Sequence, residues 1–224
     1  MIEFFGRIVM RSAAEPKAWV ESHVVRVAQS SFLITSTTSY VVAIDPFTTF
    51  PKGVKADVVL ITHSHPDHFN ASKVRSLLKP GTRVVFPASM KRSGADRGLA
   101  TDALVPGDTR LIGPLTLTAV AAYNLKRPIH RRSQGFLGYL FTLDGLRLYH
   151  AGDTDLVPEM QALVADVALL PVGGLVTMNA VQAAQAAREL KARVVVPMHY
   201  GKLPFTRQAG KKFASLFEGI TVLA

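Results

Sequence analysis

Short apolar runs recur along the chain and alternate with polar turns. Runs of four to seven residues that are rich in Val, Ile and Leu and bounded by Gly, Pro, Asp or Thr are typical of buried or half-buried strands. The runs with this pattern are Phe32–Thr35, Tyr40–Ile44, Val58–Ile61, Arg83–Phe86, Leu115–Ala121, Gly138–Leu143, Arg147–His150, Val167–Leu170 and Arg193–Pro197. They predict a chain built around β-sheets.

Helical spacing appears between some of these strands and after the last one. The predicted helices are Ala71–Leu78 after a cap at Asn70, Val181–Leu190 after a cap at Thr177 or Asn179, and Arg207–Phe217. Residues 88–108 contain several Gly and Pro turn signals and predict loop. The early half is rich in strands and the later half alternates strand and helix, which predicts an α/β fold of two mixed sheets flanked by helices. With no linker in the pattern, we expect a single domain over residues 1–224.

The polar segment after the third strand carries the chemistry. It reads Thr-His-Ser-His-Pro-Asp-His over residues 62–68 and places His63, His65, Asp67 and His68 within six positions. Three imidazoles and a carboxylate at a buried strand end cost folding free energy unless something compensates for their convergence. A divalent metal does so, because neutral imidazole and carboxylate are ligands for Zn²⁺ and similar ions. We interpret the segment as a metal site rather than a His-rich surface loop.

The amino-acid composition limits which residue types can bind a metal and which partners the protein is expected to have. The chain has no cysteine, which excludes thiolate ligands, disulfides and cysteine nucleophiles. Its 26 Lys and Arg against 16 Asp and Glu give a formal charge of +10, which favours anionic partners. No apolar run approaches the roughly 20 residues that span a bilayer. The N-terminus also lacks the order of a signal peptide, so we expect a cytoplasmic protein with no membrane partner.

Two more ligand candidates follow strands later in the chain. Asp153 comes after the strand Arg147–His150 through an Ala-Gly turn, and His199 comes after the run Val194–Met198. Strand ends on one edge of a sheet are where α/β proteins bring together ligands that are distant in sequence. Alone, Asp153 would fit a cap or turn and His199 a core or edge histidine. Beside the motif at 62–68, both are predicted metal ligands.

This order of motifs resembles the metallo-β-lactamase superfamily, in particular its branch of ascorbate-6-phosphate lactonase-like hydrolases. The matching segments lie between about Ser31 and Gly201 and comprise residues 44–46, 62–68, 149–154, 170–174 and 197–201. The resemblance implies a four-layer αβ/βα sandwich with the site at one edge, between the two sheets. In such a site His63 and His65 would bind a first metal, and Asp67, His68 and His199 would bind a second.

The resemblance also implies supporting roles and cofactors. Asp153 would bridge both metals, and Asp45 would orient a ligand imidazole through the free ring N–H of that imidazole. Two divalent metal ions are therefore the expected cofactors. The His-rich donor set favours Zn²⁺, while the carboxylates leave Mn²⁺ or Fe as alternatives.

One ligand of the superfamily has no counterpart in this chain. A further His for the first metal usually follows the strand that here reads Thr116–Ala122, where this chain continues Tyr123-Asn124. Three alternatives remain. His130 folds back to complete the site, water or Asn124 fills the gap, or the protein works with the second metal alone. We favour His130, against the competing interpretation that it is a surface or substrate-contacting residue.

The function expected from these residues is hydrolysis by a metal-bound hydroxide, which would cleave an ester, lactone or phosphodiester bond of a small anionic substrate. Asp67 is the predicted catalytic residue, since it would hold the second metal and accept a hydrogen bond from the attacking water. Basic residues cluster between 126 and 132, close to the expected site. The predicted substrate-binding residues are Tyr123, Asn124, Lys126, Arg127, His130 and Tyr200.

Two other functions stay open at this point. A metal-dependent nuclease or phosphodiesterase would use the same site and the positive charge, although no nucleic-acid-binding motif is apparent, so nucleic acid is a less favoured partner. A non-catalytic metal-binding protein would account for the missing His, but the other ligand candidates are all present. A homo-oligomer is also compatible with the sequence.

Overall fold

In the computed structural model, which describes residues 16–223, two mixed β-sheets pack against each other and helices cover their outer faces. The first sheet has its strands in sequence order: β1 (Val24–Ala28), β2 (Ser31–Thr35), β3 (Val41–Ile44), β4 (Val58–Leu60), β5 (Arg83–Pro87) and β6 (Asp102–Leu104). The second runs in order from the last strand to the first: β13 (Ile220–Thr221), β12 (Val194–Met198), β11 (Val167–Pro171), β10 (Leu146–His150), β9 (Leu137–Leu143), β8 (Leu115–Ala121) and β7 (Thr109–Ile112).

Both sheets combine antiparallel and parallel pairs. In the first sheet β1, β2 and β3 are antiparallel and β3 to β6 are parallel. In the second, β7 to β10 are antiparallel and β10 to β13 are parallel. Parallel strands end at the same edge of a sheet, so the segments that follow β4, β10 and β12 emerge where ligand side chains can meet.

The two-residue period of the strands divides the core into two parts. Val58 and Leu60 of β4 face the second sheet in the central core, whereas Val59 and Ile61 pack on the outer side with Val74 of a covering helix. All of these side chains are buried. Alternation of this kind explains why the strand segments are apolar throughout rather than at every second position.

Helices begin where the sequence offers a side-chain cap. The helices are α1 (Pro16–His23), α2 (Ala71–Leu77), α3 (Ala88–Arg92), α4 (Ala180–Glu189) and α5 (Ala209–Ala214). The Asn70 side chain accepts hydrogen bonds from the backbone N–H groups at the start of α2, as predicted. Asn179, rather than Thr177, caps α4, and Gln182 completes a capping box with it. No helix in the described part of the chain combines the length and apolar character that a bilayer crossing requires.

The fold of two mixed sheets between helices confirms the predicted architecture, but some elements differ. The loop prediction for residues 88–108 was wrong for α3 and β6, which lie there, and is confirmed for residues 93–101 and 105–108. Both elements are only a few residues long, and the Gly turns around them dominate the local pattern. The last helix, Ala209–Ala214, is shorter than the predicted Arg207–Phe217, since residues 207–208 and 215–216 form turns at its two ends. The single-domain assignment stays a prediction, because residues 1–15 and 224 lie outside the described part.

Candidate metal centre

The predicted ligands come from strand ends that meet at one edge between the sheets. The motif at 62–68 follows β4, Asp153 follows β10 and His199 follows β12. Asp45, directly after β3, and His199 have positive φ angles of 47° and 55°, which are uncommon for residues other than glycine. Backbone strain of this kind is found where surrounding structure holds a functional side chain in place.

Side chains at this edge form three overlapping sets of three residues. Within each set the candidate ligand atoms lie within 4.8 Å of one another. These sets are His63, His65 and His130; His63, His68 and Asp153; and Asp67, His68 and His199. The six predicted ligands therefore come together, and His130 joins them. Asp153 lies between the sets, with a carboxylate oxygen 3.0 Å from His199 Nε2 and 3.8 Å from His130 Nε2.

Unpaired polar atoms at the centre of this cluster fit a divalent metal. His63 Nε2, His68 Nε2 and Asp153 Oδ1 are buried and have no hydrogen-bond partner within residues 16–223. The last two lie 3.2 Å apart without hydrogen-bond geometry. Burying polar atoms without a partner costs on the order of 1–3 kcal/mol each, so a native structure normally satisfies them. Imidazole nitrogen and carboxylate oxygen are the donors that a divalent ion would use.

Asp45 and Thr62 set the orientation of two imidazoles. Asp45 accepts hydrogen bonds from Thr62 N (2.7 Å), from the Thr62 hydroxyl (2.6 Å) and from His68 Nδ1 (2.7 Å). Because the Thr62 hydroxyl proton is used for Asp45, its oxygen accepts from His63 Nδ1 at 2.9 Å. Both imidazoles are thereby protonated at Nδ1 and present Nε2 to the centre. These contacts agree with the role predicted for Asp45, whereas the prediction did not include Thr62.

His130 reaches the cluster from the loop after β8. Its Nδ1 lies 3.1 Å from Asn124 Oδ1 and 3.2 Å from the Val176 carbonyl oxygen. Asn124 Nδ2 donates to the same carbonyl at 2.9 Å, which turns the amide oxygen toward His130. Since both neighbours of Nδ1 are acceptors, Nδ1 carries the proton and Nε2 keeps its lone pair, 3.2 Å from His65 Nδ1. Of the three alternatives for the missing ligand, this arrangement favours His130, and it gives Asn124 a positioning role.

The histidines of the cluster differ in charge. Burial lowers the pKa of His63 well below its usual value and also lowers the pKa of His65 and His130, so these imidazoles are neutral. Burial acts in the same direction on His68, but the carboxylates of Asp153 and Asp45 outweigh it and raise the pKa of His68 well above its usual value. A metal that takes the Nε2 of His68 therefore has to displace a proton.

Tyr123 and Arg132 lie on another side of the cluster. The Tyr123 hydroxyl is 3.0 Å from a Glu159 carboxylate oxygen, and Arg132 pairs with the same carboxylate. Both residues line a cavity of about 500 Å³, which the predicted metal ligands do not line. Tyr123 therefore contacts Glu159, and the substrate contact predicted for it stays a prediction.

The other predicted substrate residues make structural contacts or are free in solvent. Arg127 pairs with Asp155 at 3.1 Å, and Lys126 is exposed. The Tyr200 ring lies 4.4 Å from the Arg26 guanidinium carbon and packs on Gly210, where a Cβ would come within 2.6 Å of Tyr200 Cζ. Tyr200 therefore anchors the turn after His199 to α5, which is a packing role.

Comparison with known proteins agrees with this fold and site. Residues 24–199 match the family described as beta-lactamase superfamily domain. A UPF0173 metal-dependent hydrolase of Methanoculleus marisnigri is 33% identical over 195 residues, which are 82% of this chain and 84% of that protein. A second UPF0173 metal-dependent hydrolase, from Thermococcus onnurineus, is 34% identical over 73% of this chain and 78% of that protein.

A solved structure supports the same assignment. Igni18, a metallo hydrolase from the hyperthermophilic archaeon Ignicoccus hospitalis, superposes with a TM-score of 0.74 at 27% identity. The match covers 90% of this chain and 94% of Igni18. The chain therefore belongs to the β-lactamase superfamily and, within it, to the UPF0173 metal-dependent hydrolases.

Proposed function

We propose that this metal-dependent hydrolase holds two divalent ions and cleaves an ester or lactone bond of a small anionic substrate. The observation that carries the proposal is the pair of ligand sets on either side of the Asp153 carboxylate. His63, His65 and His130 would hold one ion, while Asp67, His68 and His199 would hold the other. The resemblance to lactonase-like hydrolases favours a C–O bond over a phosphodiester. Zn²⁺ is the favoured ion, with Mn²⁺ or Fe as alternatives.

In such a centre bound metal ions lower the pKa of water to roughly 7 and polarise the oxygen of the bond to be cleaved. The residues of the chain supply orientation and proton acceptance. Asp45 and Thr62 hold His63 and His68 with Nε2 toward the centre. Asp67 is half-buried at the open side of the cluster, where its carboxylate can accept a proton or a hydrogen bond from water.

Positive charge near the centre does not favour the nuclease alternative. Arg127 and Arg132, which could have bound a nucleic-acid backbone, pair with Asp155 and Glu159. A duplex or long single strand needs a continuous basic surface. A cytoplasmic location and a homo-oligomer stay predictions.

The proposed function is tested with protein loaded in turn with Zn²⁺, Mn²⁺ or Fe²⁺ and offered matched substrates. The panel contains small esters and lactones, bis(4-nitrophenyl) phosphate, and a single-stranded RNA. We expect cleavage of an ester or lactone, loss of that activity in the Asp67→Asn variant, and no loss in an Asp108→Asn control, whose carboxylate lies in a turn before β7. Cleavage of RNA or the phosphodiester alone would establish the nuclease or phosphodiesterase function. If the metal-loaded protein cleaves none of these substrates, the proposal of a hydrolase fails and the non-catalytic metal-binding alternative stands.

A further inference from the structure

A small cleft opens beside the second ligand set. Asp67 and His199 line it, together with residues of the loop 173–176. Its volume is about 210 Å³. Pockets that enclose a drug-sized ligand usually measure roughly 300–1,000 Å³, so this cleft admits only a short part of a molecule.

Part of the lining of the cleft is apolar. Leu175 and Leu203 line it and are 55% and 40% exposed. The loop that carries Leu175 approaches the His199 turn closely at Gly173, where any Cβ would collide with the His199 carbonyl oxygen. Exposed leucines that line a concave surface next to a reactive centre are suited to an aliphatic segment of a ligand.

The positive charge in the cleft comes from Lys202. Its Nζ lies 3.8 Å from Asp67 Oδ2, and its side chain is 64% exposed. Arg127 and Arg132 of the neighbouring basic loop have carboxylate partners of their own outside the cleft. A divalent ion held by Asp67 would compensate the charge of its carboxylate, and Lys202 would then be available to pair with an anion on a ligand.

A neutral hydrogen-bond donor also lines the cleft. The side-chain amide of Gln29 makes no hydrogen bond to residues 16–223, whereas the nearby Thr206 hydroxyl donates to Leu203 O and accepts from Gly201 N. Gln29 has a φ of 36°, and its backbone carbonyl accepts from His199 N at 3.1 Å. Its position is thus tied to the ligand turn, and its amide is available to a substrate.

We propose that this cleft recognises a carboxylate on a short aliphatic arm of the substrate. Lys202 would pair with the carboxylate, Gln29 would donate a hydrogen bond to it, and Leu175 and Leu203 would contact the methylene groups. One ammonium group matches the single charge of a carboxylate better than the double charge of a phosphate monoester. The inference rests on the proposed function and narrows its substrate class to half-esters of small dicarboxylic acids and small lactones that carry a free carboxylate.

Binding is tested first, because it does not depend on turnover. The probes are succinate, its shape-matched analogue 4-methylpentanoate, in which an isopropyl group replaces one carboxylate, and 3-phosphonopropionate, titrated calorimetrically into metal-loaded protein. In each probe one carboxylate can reach the metal centre and the other end reaches the cleft. We expect succinate to bind at least about 10-fold more tightly than 4-methylpentanoate.

Variants assign that preference to the cleft. Lys202→Met should abolish it, Lys202→Arg should retain most of it, and Gln29→Met should reduce it by a smaller factor. Lys211→Met serves as the matched control, because Lys211 is an exposed lysine of α5 outside the cleft. A preference that survives in Lys202→Met, or tighter binding of 3-phosphonopropionate than of succinate, would overturn the inference.

Hydrolysis then separates this inference from the proposed function. The substrates are 4-nitrophenyl hydrogen succinate and 4-nitrophenyl 4-methylpentanoate. We expect the succinate ester to be favoured by at least about 10-fold in kcat/KM, mainly through KM, and Lys202→Met to remove the preference. Binding preference without cleavage of these esters or of any ester or lactone in the first panel would refute the hydrolytic proposal and leave the cleft assignment standing. Cleavage of both esters with equal kcat/KM by the wild type would refute the cleft assignment alone.

Discussion

The two ligand sets that meet at Asp153 differ in charge and in how their side chains are held. His63, His65 and His130 form a set of neutral imidazoles, whereas Asp67, His68 and His199 include a carboxylate and a histidine whose pKa is raised. Charge on the donors increases affinity for hard divalent ions, so we expect the second set to bind the tighter ion and the first set the weaker one.

The two sets also differ in the hydrogen bonds that hold their histidines in place. In the second set His68 donates directly to the buried carboxylate of Asp45. In the first set His130 depends on a neutral amide, Asn124, and on a backbone carbonyl of a different loop. A histidine from a loop with neutral partners is easier to displace than one held by a buried carboxylate at a strand end. The comparison predicts that damage to the first set leaves the second intact, while loss of the shared carboxylate affects both.

The largest effect is expected at the shared carboxylate. Asp153→Ala should reduce the metal content from two ions to fewer than one and lower kcat/KM by roughly 10³-fold, because both sets lose a donor and His68 and His199 lose a charge partner. Elemental analysis and steady-state kinetics measure both quantities. Asp166→Asn is the control, since its carboxylate accepts from Arg147 N at the opposite end of the strands. Two ions retained in Asp153→Ala would refute a bridging role.

A smaller and selective effect is expected at the loop histidine. His130→Ala should lose one of two ions and lower kcat/KM by about 10- to 100-fold, because the first set keeps only two imidazoles. Metal stoichiometry of the purified protein distinguishes the alternatives that the sequence left open. One ion in both the wild type and the variant would indicate a mononuclear site, with His130 outside it.

The hydrogen bond to Asn124 that holds His130 in place can be removed without removing a candidate metal ligand. Asn124→Leu has nearly the same shape but cannot accept from His130 Nδ1 or donate to the Val176 carbonyl. We expect it to lower the affinity for the weaker ion by about 10-fold and to leave the tighter ion unchanged, as measured by chelator competition. Asn124→Asp, which still accepts from Nδ1, should recover part of the affinity. Equal loss at both ions would mean that Asn124 acts on the whole fold instead.

The smallest effect concerns the metal-free protein. There His63 and His68, one from each set, should change the free energy of unfolding with pH in opposite directions. Burial lowers the pKa of His63, so the unfolded state binds more protons and this group destabilises the fold as the pH falls through about 6.5. The pKa of His68 is raised, so its contribution is fully present below about 6.5 and is lost as the pH rises through its folded-state value.

Urea unfolding in the presence of a chelator measures this difference. The free energy of unfolding of His68→Gln should fall below that of the wild type mainly at acidic pH, and the two should converge in alkali. His63→Gln should lose less stability than the wild type on acidification. If the free energy of unfolding depends on pH in the same way in all three proteins, His63 and His68 do not respond to pH with opposite signs.

Much of the candidate site could be predicted, because its candidate ligands lie in short sequence patterns that can be recognised without the structure. The motif at 62–68 is contiguous, and Asp153 and His199 each follow an apolar strand. Short edge elements were harder to predict: β1, β6 and β7 have few buried side chains, and their stability comes from pairing with a neighbouring strand rather than from their own pattern.

Residue types alone did not reveal the contacts within the protein that the surface around the centre makes, and the predicted substrate contacts stay predictions. Arg127 and Tyr123 were predicted to contact substrate because they lie near the ligands in sequence, yet Asp155 and Glu159 are their partners. Lys202 was not singled out, because a lone lysine after a strand has no signature. Its proximity to Asp67 arises only from the way the turn after β12 faces the loop after β4.

The sequence by itself determined the fold class, the superfamily and the candidate set of imidazoles and carboxylates, because strand periodicity and ligand spacing are local properties of the chain. Tertiary structure alone decided which nitrogen of His130 faces the centre, that Asn124 and Thr62 hold the ligands, and that Lys202 lies beside the cleft. Hydrogen bonds and charge pairs between distant segments depend on distances of a few ångströms, and only the packing of the two sheets brings those segments together.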